Sequence, residues 1–124
     1  MKLLTQPQLK QLLENGIFKN AGKDHKPVVK LFLPGSDMTW LVTELLENED
    51  TAFGLCDLGM GFPELGYFSL SELQSVKNKL GLTVERDSSF EAKFPLSIYT
   101  KAAKLALHIT ENPIFLLSAA EDSK

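Results

Sequence analysis

The chain opens with apolar residues at helical spacing. Leu9, Leu12 and Leu13 fall at i, i+3 and i+4 and make one stripe. Thr5 stands where an N-cap belongs, and Pro7 sits in the first turn, where its missing N–H costs little. Asn15-Gly16 supplies a left-handed stop, so a helix is predicted from Thr5 to Gly16. Between Lys19 and Pro27 there is no large apolar residue, and this lysine-rich stretch reads as a solvated loop.

From Pro27 onward the helical spacing gives way to strand texture. Val28 to Leu33 is a β-branched and apolar run, and Pro34-Gly35-Ser36-Asp37 turns the chain. In the next run, Met38 to Leu46, alternation puts Trp40, Val42 and Glu44 on one face and Leu41, Thr43 and Leu45 on the other. Glu47-Asn48-Glu49-Asp50 turns it again. Ala52 to Asp57 and Leu65 to Phe68 read as two further strands, joined by a loop in which Gly59-Met60-Gly61 shapes the hairpin. Strands about ten residues apart with short connections indicate an antiparallel meander rather than βαβ units.

A second helix is predicted behind Ser69 or Ser71. Ser69-Leu70-Ser71-Glu72 has the Ser-x-x-Glu form of a capping box, Leu70, Leu73, Val76, Lys77 and Leu80 give the helix its face, and Gly81 ends it. Leu82 to Arg86 makes a fifth strand. A third helix is expected from about Leu96 to Ile109, with Ile98, Ala102, Leu105 and Ile109 in one stripe and Asn112-Pro113 as its stop. Ile114 to Ala120 is a last apolar run. It is open to three placements: an edge strand, a cover on the sheet, or a partner interface built on Ile114, Phe115, Leu116 and Leu117. The whole reads as one α+β domain over residues 1–124, with a single antiparallel sheet of about five strands and two to three helices packed mainly on one face.

Composition narrows the function classes. With 124 residues, 44% of them hydrophobic, the chain can bury a core of its own, and a lone Cys56 excludes an internal disulfide. Lys and Arg number 13 against 16 Asp and Glu, a net charge of -3 that disfavours a direct nucleic-acid binder. The acids are interleaved with lysines, which also disfavours mimicry of DNA. No run approaches the roughly 20 apolar residues of a membrane span. Met1-Lys2-Leu3-Leu4 passes at once into Thr5-Gln6-Pro7-Gln8, without the apolar stretch of a signal peptide, so a cytoplasmic setting is the expectation.

No histidine or cysteine pair has ligand spacing, and Glu47, Glu49 and Asp50 read as a solvated turn, so neither metal nor cofactor is expected. Gly59-Met60-Gly61 lacks the third glycine and the lysine of a phosphate loop, there is no Gly-x-Ser-x-Gly elbow, and Cys56 reads as an inert thiol; no catalytic residue is assigned. Two constellations remain. Trp40 and Glu44, across Val42, can hold a ring or a cation, or else Trp40 anchors the core while Glu44 is solvated or paired to an arginine. Arg86, within Glu85-Arg86-Asp87, has a planar fork suited to a carboxylate or phosphate, or it pins strands together through Glu44 or Glu64. A small-molecule or nucleotide pocket would have to join Trp40, Glu44 and Arg86. Tyr67 suits either a core or a site.

Leu33-Pro34-Gly35-Ser36, Thr39-Trp40 leading to Glu44, Phe53-Gly54-Leu55, the run from Glu64 to Leu73 and the run from Gly81 to Asp87 occur in that order. The succession resembles domain-of-unknown-function family 2958 over roughly residues 1–99, with 100–124 as a helical, apolar extension. The resemblance implies a small protein of bacterial plasmids, integrative elements and phages, with no catalytic residue to carry over. It implies action through contact with another protein, modulation of host defence being one form of it. Self-association is the alternative kind of contact expected. Trp40, Glu44, Tyr67, Glu85, Arg86 and Asp87 become the candidate binding positions, and Trp40, Tyr67 and the Ile114–Leu117 segment the expected contacts, because aromatic side chains dominate hot spots.

Overall fold

The computed structural model describes residues 3–124. Thr5 caps helix α1 (Gln6–Gly16): its hydroxyl accepts from Gln8 N at 3.3 Å, while Thr5 N donates to Gln8 Oε1 at 2.9 Å. Leu12 lies wholly in the core, with Leu9 and Leu13 packed beside it. The helix ends differently from the expected left-handed stop. Gly16 keeps a negative φ and presses against strand β2 (Thr39–Leu45), where an added Cβ would stand 2.2 Å from the Leu45 carbonyl oxygen.

Strands β1 (Val29–Phe32), β2, β3 (Thr51–Asp57) and β4 (Glu64–Ser69) follow one another as hairpins, and β5 (Glu85–Arg86) joins β1 from the other side. The five-stranded antiparallel sheet, in the order β4-β3-β2-β1-β5, is the expected α+β architecture. Its register breaks once. Val42 faces Gly54 but Glu44 faces Phe53, which makes Thr43 the extra residue of a β-bulge. One inserted residue exchanges the faces of all that follow, so Leu45 packs with Trp40 and Val42, while Glu44 moves to the side of Leu41. β1 starts only opposite Val42, and α1 closes the remaining edge of β2: Asn15 Nδ2 donates to the Thr43 carbonyl at 2.9 Å.

The helices divide between the two faces of the sheet instead of packing mainly on one. Trp40, Val42, Leu45 and Leu31 meet Leu12 of α1 and the Leu70 and Leu73 side chains of α2 (Leu70–Ser75). On the opposite face, Leu41 and Leu55 lie under Ile98, Tyr99 and Ala102 of α3 (Leu96–Ala106) and under Leu116 and Ala119 of α4 (Pro113–Asp122). Continuous burial from Trp40 to Leu45 on the central strand is the consequence.

Four element boundaries depart from the sequence reading. α2 ends at Ser75, not Gly81, because Asn78 takes over the backbone: its Oδ1 accepts from Leu80 N and Leu82 N at 2.8 and 3.0 Å, and its Nδ2 donates to the Pro34 carbonyl. Leu80 is left exposed, and the fifth strand shrinks to Glu85–Arg86. α3 stops at Ala106 with Leu107 in the left-handed region, and Leu105 in its last turn is exposed. Asn112-Pro113 starts a fourth helix: Asn112 Oδ1 accepts from Ile114 N at 2.9 Å, and Pro113 occupies the first turn.

The stretch from Lys19 to Pro27 is tied down as well as solvated. Pro95 provides no side-chain cap for α3, and Asp24 supplies one from a distance, accepting from Ser97 N at 2.9 Å and from the Ser97 hydroxyl. Leu96 N donates to the His25 carbonyl, and Gly22 N to Glu44 Oε2.

Candidate functional site

The β1–β2 turn and the β3–β4 loop lie at the same end of the sheet, and the α3–α4 connection crosses it. Asp37, Thr39, Asp57, Gly59 and His108 line a cleft of about 370 Å³ there. Asp57, 1% exposed, organises it: Oδ1 accepts from Gly59 N and Oδ2 from Ile109 N, both at 2.9 Å. Each carboxylate oxygen therefore holds a different piece of backbone, and Asp57 braces the loop against the helix connection. His108 Nδ1 is engaged with the Ile109 carbonyl at 2.9 Å. The cleft can take a small polar group, but its buried acid is already committed. Among the described residues no group of three His, Cys, Asp or Glu is placed to hold a metal ion.

The two constellations picked out in the sequence do not converge. Trp40, 2% exposed, is a core residue opposite Leu31, and Leu31 in turn faces Arg86, so Trp40 and Arg86 share a face. Glu44 is buried on the other face, accepting from Gly22 N at 3.1 Å. The Thr43 bulge thus separates Trp40 and Arg86 from Glu44, and no pocket joins the three. Arg86 Nη1 donates to the Leu3 carbonyl at 3.1 Å. Pairings of Arg86 with Glu44 or Glu64 are excluded by geometry: Glu44 lies on the opposite face and Glu64 on the opposite edge of the sheet. Glu85 faces Phe32, while Asp87 meets Lys30 at 3.7 Å and Lys30 also meets Glu111. The Ser89 hydroxyl holds the Asp87 carboxyl below its ordinary range, with Ser89 N and Lys30 adding to that against a smaller opposing effect of burial.

The last apolar run is a helix laid on its own domain, not an edge strand. Leu116 enters the second core and Phe115 is half-buried, while Ile114 and Leu117 face outward.

Tyr67 is placed differently from Trp40. It is 66% exposed on β4 and packs its ring on Phe53, centroids 5.0 Å apart. Leu65 shares its face, and the preceding loop adds exposed Leu58, Met60 and Phe62, which gather beside Cys56 and Glu64 on the opposite face of the hairpin. Cys56 lies with these loop residues in a hollow of about 340 Å³, and burial pushes its thiol up to about 11, which keeps it protonated and unreactive near neutrality. β4 keeps unbroken register with β3 over six residues. Its outward backbone groups have no strand beside them among the described residues. Leu58, Met60, Phe62 and Leu65 were not picked out from sequence. The available signal was large apolar residues among loop glycines, where no core is within reach.

A family model described as "Protein of unknown function (DUF2958)" matches residues 3–110. The chain belongs to this family. The DUF2958 match takes in the whole sheet, the end cleft, the β4 edge and α3, and it stops short of α4. No curated protein and no solved structure matches the chain. No helix among the described residues is long and apolar enough to cross a membrane.

Proposed function

We propose that this protein is a binding module that captures another protein along the open edge of β4. The family resemblance suggests a mobile-element setting for it, in which proteins of host defence are one class of target. The observation that carries this reading is the pairing of an uncovered six-residue edge with Phe62 and Tyr67, 78% and 66% exposed, beside it. An extended segment of a partner can add to such an edge by main-chain hydrogen bonds, while Leu65 and Tyr67 supply the side-chain contacts. A pocket reading loses its support, because Trp40, Glu44 and Arg86 do not meet.

Affinity capture from host lysate, with the full chain beside Tyr67→Ala and Leu65→Lys, tests the proposal. One stoichiometric protein retained by the wild type and lost from both variants is the expected result, with each variant melting within a few degrees of wild type. Equal retention by the variants, or an empty capture by the folded wild type, would overturn it.

A further inference from the structure

A second surface lies away from the β4 edge, where α1 hands over to the loop that follows it. Phe18 is 100% exposed there, so a whole phenyl ring forfeits the burial that ordinarily drives packing. The ring forms one wall of an apolar groove of about 680 Å³ that Leu13, Ile17, Ala21, Leu45 and Leu46 also line, larger than the cleft at the end of the sheet. The backbone explains both features. Gly16 brings no side chain to the place where α1 presses on the Leu45 carbonyl, which leaves the groove open. Ile17 then leaves the helix in an extended conformation and carries Phe18 outward.

We propose that Phe18 and this groove form a self-complementary contact through which two copies of the chain pair. A projecting ring and a hollow side by side on one molecule are the requirement for a two-fold interface, since one rotation seats each ring in the other copy's groove. The charges at the rim favour a second copy over an unrelated protein. Lys19 follows Phe18, Glu47 stands at the groove, and neither makes an ion pair among the described residues. Seating Phe18 across the two-fold brings Lys19 of each copy toward Glu47 of the other, so the same surface carries both halves of the match.

Sedimentation velocity over a concentration series, run on the full chain, tests this. Wild type should shift from monomer to dimer as its concentration rises toward about 1 mM. Phe18→Ser should remain monomeric with an unchanged melting temperature, because the ring it removes touches no core. Lys19→Glu and Glu47→Lys should each weaken the dimer by roughly threefold to tenfold through two like-charge contacts. Mixed together, those two variants should recover wild-type association, since every pair across the two-fold becomes opposite in sign. A wild type that stays monomeric throughout overturns the proposal, and so does a Phe18→Ser protein that dimerises as well as wild type. Failure of the mixture to associate better than its components overturns the two-fold arrangement. Phe18→Ser should still capture the partner that Tyr67→Ala loses, which keeps the two surfaces distinguishable.

Discussion

At one edge of the sheet β5 contributes only two residues, and everything around them is fastened. Arg86 donates to the Leu3 carbonyl, Asp87 N donates to the Lys30 carbonyl at 2.9 Å, and the Lys30 ammonium sits between Asp87 and Glu111. A very short strand with a lysine beside it is what keeps a sheet from growing by accident. At the other edge β4 runs six residues without bulge or lysine and turns Leu65 and Tyr67 outward. The contrast separates a closed edge, where polar side chains brace the fold, from an open one suited to a partner. It also relocates the interest. Glu85-Arg86-Asp87, the most conspicuous polar motif in the chain, belongs to the closed edge.

The largest change would strike both edges together. Trp40 stands on the central strand between Leu31 of β1 and Cys56 of β3, and its loss leaves a cavity beneath the whole sheet. Trp40→Ala should cost about 3–5 kcal/mol in denaturant unfolding, with hydrogen-exchange protection falling in β1 and β4 alike. Protection lost at one edge alone would mean that the sheet is not one cooperative unit.

A smaller change should touch the closed edge only. Lys30→Met removes the cation that both Asp87 and Glu111 share, while its methylenes still cover the strand. A loss of about 1 kcal/mol is expected in low salt, fading as salt is added, because partly exposed ion pairs are screened. The partner capture proposed for β4 should not change. If Lys30→Met abolished capture while Tyr67→Ala preserved it, the roles assigned to the two edges would have to be exchanged.

Much of this architecture was legible wherever the determinant is local. Thr5, Pro7 and the leucine stripe announce α1, and Pro34-Gly35 and Asn48 mark turns between strands whose ends shift by only a residue or two. What escaped was set by side chains acting at a distance, or by a single extra residue. Alternation cannot register the Thr43 bulge, so Glu44 was assigned the face of Trp40 when it lies on the other. Asn112-Pro113 is chemically ambiguous, since the residues that stop one helix also cap and begin the next. Asn78 closes α2 early through hydrogen bonds that helical periodicity does not contain. Asp24 caps a helix 73 positions away, which no local pattern in a lysine-rich loop reveals. The candidate site is legible in part: Tyr67 stands out as an aromatic on a strand, while the exposed apolar residues of the β3–β4 loop are hidden among glycines.

Acid provides the finest test of the contrast, because each edge carries one carboxyl held below its ordinary range. At the closed edge it is Asp87, lowered chiefly by the Ser89 hydroxyl. At the far end of β4 it is Asp50, lowered first by the hydroxyl of Ser69, the strand's last residue, and then by Ser71 N at the start of α2. Both folded-state values lie under the ordinary 3.8, so the stability these groups contribute is fully present above that value and is lost as pH falls through the lowered ones. Asp50→Asn should therefore flatten the acid response of exchange protection at β4 and the start of α2, leaving β1 and β5 unchanged. Asp87→Asn should do the reverse. Both groups are half-buried and reached by solvent, so the effects will be small and will show as local protection rather than as a shifted global transition. If either variant kept the wild-type acid response at its own edge, that carboxyl would not be what fastens it.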